Sequence, residues 1–180
     1  MKDNSPVIWL TGMSGAGKTT LANLIDSNYK QKGYSVVIID GDSVRDRDNV
    51  KLGFGLDDVR INNMRIASLC NEYRANFDIV IVPVISPYEE VREIVRKILS
   101  PNFHLVYLKA NIGSLRDRDT KGLYAAADCG DIVDLIGYSS VNPYNKPHNP
   151  ELIISTANST SENNSFNMLA NYIDKVIFDK

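Results

Sequence analysis

Short runs of consecutive apolar residues punctuate the chain, and segments with helical spacing separate them. Val7 to Leu10, Val36 to Ile39, Ile79 to Pro83 and His104 to Leu108 each read as a strand, apolar throughout apart from His104. Strands of that kind are buried on both faces. Glu151 to Ser155 is expected to be a fifth. Between them, Thr19 to Lys32 puts Leu21, Leu24 and Ile25 on one face and stops at Gly33. Leu56 to Asn76 predicts a long helix, Tyr88 to Leu99 another, Ser114 to Arg118 a short one, and Ser161 to Ile177 a C-terminal one. Glu89, Arg92, Glu93 and Arg96 recur at helical spacing and predict ion pairs along their own helix. The alternation predicts an α/β fold, a five-stranded parallel sheet flanked by helices. Residues 120–150 break the rhythm with many Gly, Asn, Pro and Asp, and read as an excursion from the core. Residues 158–167 are rich in Ser and Asn and read as a polar connection.

Length adds that residues 1–180 make one domain with room for a sizeable core. The formal charge of −2 provides no basic field for nucleic acid. The apolar runs are too short to cross a bilayer and the first residues lack a signal-peptide core, so the expectation is a cytoplasmic protein without a membrane partner. Cys70 and Cys129 form no CxxC and read as free thiols in a reducing compartment. His104 and His148 are isolated, so no protein-built metal site is expected.

Chemistry enters at Gly12-Met13-Ser14-Gly15-Ala16-Gly17-Lys18-Thr19, directly after the first strand. Gly12, Gly17, Lys18 and Thr19 fit G-x-x-x-x-G-K-[ST], the phosphate-binding P-loop. Glycines let the backbone wrap closely, so that N–H groups converge on phosphate oxygens. The following helix adds its positive end. Lys18 can reach the β- and γ-phosphates and Thr19 can ligate Mg²⁺, so the expected ligands are ATP and Mg²⁺. Asp40-Gly41-Asp42 ends the second strand, where such sheets present their ligand crevice. One carboxylate there could orient or deprotonate a hydroxyl and the other hold a water on Mg²⁺; a plain D-G turn is the alternative. Arg45 could bind an anionic acceptor or pair with Asp48. An NKxD element for guanine is missing, since Asn145-Lys146 continues as Pro147-His148, and the length suits a small kinase with a closing lid.

The blocks VIWLTGMSGAGKTTLA, IDGDSVR, LGF, ISPY, RDTKGLY and NPEL, in that order from Val7 to Thr156, resemble the adenylyl-sulfate kinase family. That resemblance implies a P-loop kinase with a lid at about 120–145. The family phosphorylates the 3′-hydroxyl of adenosine 5′-phosphosulfate with ATP. It further implies that residues 12–19, including Ser14, Gly15 and Ala16, hold the ATP phosphates, that Thr20 belongs to the ATP site and that Arg118 lies against its base. Lys18, Asp40, Asp42 and Lys121 would be catalytic. Asp42, Arg45, Phe54, Asn62, Arg65, Ile85, Ser86, Lys121 and Leu135 would surround the acceptor nucleotide. Phe54 would offer a face for stacking, and the arginines charge-assisted bonds to anionic oxygens. A homodimer is within the family's habit.

Departures cluster on the acceptor side and lid. An arginine of the family becomes Val59, and Arg60 lies about 100° round the helix from it. The arginine after ISPY becomes Glu89, and the family's basic lid becomes Ala125-Ala126-Ala127-Asp128. Leu135 stands where the family has an aromatic, and one residue is inserted before Pro143-Tyr144. The pattern leaves open a different acceptor, such as cytidine diphosphoramidate in capsule phosphoramidate synthesis, or a nucleotide-binding regulator without turnover.

Overall fold

The computed structural model describes residues 5–46 and 52–178. Its strands are β1 (Val7–Thr11), β2 (Val36–Ile38), β3 (Ile79–Pro83), β4 (Phe103–Lys109) and β5 (Leu152–Ser155). They form one parallel sheet in the order β2-β3-β1-β4-β5, as the apolar runs require. Trp9 at its centre sits opposite Val82 on one side and Leu105 on the other. The helices are α1 (Lys18–Gln31), α2 (Gly41–Arg45), α3 (Leu56–Tyr73), α4 (Glu89–Leu99), α5 (Ile112–Arg118), α6 (Leu123–Asp128) and α7 (Glu162–Phe178).

Alternate residues of the central strands feed two cores. Ile8, Leu10, Ile81 and Val106 pack with Leu21 and Ile25 of α1 and Leu169 and Ile173 of α7. Val7, Trp9, Val80 and Val82 pack on the opposite face with Ile66, Ala67 and Cys70 of α3 and Val95 and Leu99 of α4. This period of two is why the central strands carry apolar residues on both faces. Strand order reverses around β1, and the loop after β1 opens where α/β folds bind ligands.

Three details differ from the sequence expectation. Asp40-Gly41-Asp42 begins a helix, because Oδ1 of Asp40 accepts from the N–H groups of Asp42 (2.9 Å) and Ser43 (3.1 Å). The excursion at 120–150 contains α6, whose first amides, Tyr124 and Ala125, donate to Asp119. On α4, Glu89 pairs with Arg92, but Arg96 reaches across to Glu151 beside β5, with Nη2 donating to Oε2 at 3.0 Å. Among the described residues no helix is long and apolar enough to cross a membrane.

Candidate active site

The loop between β1 and α1 must run close to β4, and Gly12 permits it. A Cβ there would lie 2.7 Å from the Leu108 carbonyl oxygen. The loop then wraps around the start of α1, and Lys18 folds back over it. Its Nζ donates to the carbonyls of Gly12 at 2.8 Å and Met13 at 2.9 Å. Burial pulls the Lys18 ammonium down to about 8; Asp42 opposes that pull and Lys121 reinforces it.

Around this loop lies a cleft of about 410 Å³. Ser14, Gly15, Ala16, Gly17, Lys18, Thr19 and Thr20 form one wall, and Asp40, Asp42 and Ile85 stand opposite. Arg118 and Lys121 also border it. Lys121 Nζ donates to Oδ2 of Asp42 at 3.2 Å, with side chains 63% and 71% exposed. A pair so open to water is weak, so both groups are free to turn to a ligand. Arg118 donates from Nε to the Ser114 carbonyl at 3.0 Å and leaves Nη2 buried without a partner.

The sequence reading missed the far end of this cleft. Thr156, Thr160, Glu162 and Ser165 line it, from the end of β5 into α7. The signal was present: a polar connection after a parallel strand sits at the strand's C-terminal end, where such sheets bind ligands.

The remaining expected site residues lie outside the cleft's lining or behind it. Gly12 underlies the loop. Asn62 is buried on α3, with Nδ2 donating to the Gly41 carbonyl at 3.3 Å and Oδ1 unpartnered. Arg65 is half-buried one turn further along α3. Arg45 donates to the carbonyls of Leu52 and Gly53 and lies 4.9 Å from the Phe54 ring centroid. Phe54 is 44% exposed. Asp48, the alternative partner for Arg45, falls outside the described residues. Ser86, next to Ile85, is buried in the left-handed region at φ 44° with its hydroxyl unpartnered. Leu135 is buried in the core cluster that holds Ala16, Leu115 and Tyr124.

The family model described as Adenylylsulphate kinase matches residues 4–155. The chain belongs to the adenylylsulphate kinase family. It is 40% identical over 159 residues to the adenylyl-sulfate kinase of Bacillus pumilus, covering 88% of this chain and 80% of that one. It is likewise 40% identical to the adenylyl-sulfate kinase of Rippkaea orientalis, over 84% of this chain and 82% of the relative. The Mycobacterium tuberculosis APS kinase, solved in complex with AMPPNP and APS, superposes with a TM-score of 0.83 at 30% identity. That match covers 98% of this chain and 99% of the other. Val59 is buried with Tyr88 and Val91 in a small apolar cluster, so it presents no polar group. Asp128 of α6 pairs with Arg116 at 2.6 Å.

Proposed function

We propose that this chain is an ATP-dependent adenylyl-sulfate kinase, which transfers the γ-phosphoryl group of ATP to the 3′-hydroxyl of adenosine 5′-phosphosulfate. The observation that carries the reading is the convergence in one cleft of residues 14–20, Asp40, Asp42, Lys121 and Arg118. In the reaction the acceptor oxygen bonds to the γ-phosphorus and the β–γ bridge breaks. ADP leaves, and the hydroxyl proton must be taken up. Asp42, open to the cleft, orients that hydroxyl and accepts the proton. Asp40 holds Asp42 in place by capping α2. Lys18 and the backbone amides hold the β- and γ-phosphates, and Lys121 moves from Asp42 onto the transferring group as residues 120–145 close as a lid. Arg118 flanks the ATP base, and Arg45, Phe54, Asn62, Arg65, Ile85, Ser86 and Leu135 shape the acceptor side. The unpartnered groups of Asn62 and Ser86 suit a hydroxyl-rich ligand.

Among the described residues no group of three His, Cys, Asp or Glu could cage a metal. The exposed hydroxyl of Thr19 beside Asp40 and Asp42 instead fits Mg²⁺ shared with phosphate oxygens and water. Such an ion, when bound, neutralises charge on the β- and γ-oxygens. The same reading takes residues 1–180 as one kinase domain, cytoplasmic, acting alone or as a homodimer, with no nucleic-acid or membrane partner.

A second acceptor, cytidine diphosphoramidate of capsule synthesis, is favoured by the lack of cations at Val59 and on α6, whose Ala125, Ala126, Ala127 and Asp128 carry no positive charge. The test is ³¹P NMR of the protein with MgATP and each nucleotide separately. New 3′-phosphate signal from adenylyl sulfate supports the first reading. Signal from the cytidine compound alone replaces it with the second. ATP binding without turnover of either points to a regulator.

A further inference from the structure

The inward face of α4 is apolar at Val91, Val95 and Leu99, yet Arg92 lies among them with only 1% of its surface exposed. A buried guanidinium is costly unless every donor is used. Here Nε donates to Glu89 Oε2 at 2.9 Å, Nη1 to the Ser86 carbonyl at 2.6 Å and Nη2 to the Asn145 carbonyl at 2.6 Å. The Tyr144 ring centroid lies 5.7 Å from the guanidinium carbon. Two segments distant in sequence are thereby fastened together. One is the turn at Ile85-Ser86-Pro87, which continues the cleft wall and contains the left-handed Ser86. The other is the chain returning from α6.

Further bonds cross the same seam. Asn145 N–H donates to the Pro87 carbonyl at 2.8 Å, and His148 N–H to Glu89 Oε1 at 3.0 Å. Tyr144 hydroxyl meets Thr11 Oγ1 at 2.9 Å, and Thr11 donates to the Ile85 carbonyl at 2.5 Å. Thr11 immediately precedes the phosphate loop.

We propose that Arg92, with Glu89, is a positioning residue for the acceptor nucleotide: it holds the 85–87 turn in its strained shape and anchors the far end of the lid segment to it. Its effect falls on the acceptor and not on ATP, because its bonds go to Ser86 of the acceptor-side turn, to Asn145 and to Glu89, and none goes to residues 14–20. The kinetic part rests on the adenylyl-sulfate kinase reading; the structural part does not.

The experiment compares wild type with Arg92→Met, Arg92→Lys and Glu89→Gln. Steady-state kinetics are combined with amide hydrogen exchange. Arg92→Met should raise KM for the acceptor about ten- to a hundredfold while KM for ATP stays within about twofold, and Arg92→Lys should recover part of the loss. Exchange at the Asn145 and His148 amides should quicken, with α1 unchanged. Glu89→Gln, which keeps the side-chain size, should shift the same readouts in the same direction if Arg92→Met does not fold. Unchanged exchange at Asn145 and His148 overturns the proposal. So does faster exchange with an unaltered acceptor KM, or equal rises in both KM values. A wild type inactive on adenylyl sulfate would defeat the functional reading, while exchange would still judge the anchor.

Discussion

Lys18 is held by two carbonyls of its own loop, and burial lowers its ammonium to about 8. Phosphate oxygens favour the charged form and raise that value again. The bound complex therefore keeps the proton to higher pH than the free protein. Binding must take up a proton above about pH 8, and ATP affinity must fall as pH rises through that window. Calorimetry in buffers of different ionisation heat should register the uptake, and a Lys18→Met protein should not. Removing the ammonium by Lys18→Ala should lower kcat on the order of 10²–10³-fold. Asp42→Asn should lower kcat by about 10²-fold or more with little change in ATP affinity. Unchanged turnover would move the base role away from Asp42. At this scale the phosphate loop was legible because its chemistry is written in consecutive residues. Thr156, Thr160 and Glu162 were not, because their site exists only once β5 lies beside β4.

Short elements owe their existence to single side chains. The helix α2 holds Asp42 over the cleft because Asp40 caps it and because Gly41 lets it pack against β3's end. A Cβ on Gly41 would lie 2.6 Å from Val84 Cγ2. Gly41→Ala should therefore cost about 1–3 kcal/mol in urea unfolding and lower kcat by displacing Asp42. Helix α6 depends in the same way on Asp119, whose carboxyl is held below the usual range chiefly by the Ala125 amide. Asp119→Ala should speed exchange at the Tyr124 and Ala125 amides while leaving α3 unchanged. Long helices such as α3 were legible from periodicity, which accumulates over many residues. Five- and six-residue helices were not, since propensity over so short a span is weaker than a cap.

Across the whole molecule, the two cores and the seam through Arg92 govern what solvent reaches. Cys70 is buried on α3, and burial pushes its thiol up to about 12, whereas Cys129 is exposed. A thiol reagent should label Cys129 rapidly in the native protein and Cys70 only on unfolding. Glu89 makes part of the molecule's stability sensitive to acid. Burial would raise its carboxyl, but the His148 amide and Arg92 hold it below the ordinary value of 4.5. Its stabilising contribution is thus complete above that value and is lost as pH falls through the lower folded one. Wild type should lose stability more steeply than Glu89→Gln on acidification below about pH 4.5, measured by urea unfolding at successive pH values.

The sequence alone determined the parallel sheet, the phosphate loop and the family, because strand burial, glycine spacing and the order of motif blocks are local or linear properties. Only the tertiary structure decided which charges pair and what the departures do. Glu89 and Arg96 look alike in sequence as charges on one helix. Folding buries the first's partner, Arg92 of the same helix, and sends the second across to Glu151. Val59 and Leu135 look like losses from a binding site, and in the fold they are buried apolar side chains. Pairing and burial depend on which segments the sheet brings together, and that is set by the packing of both cores at once.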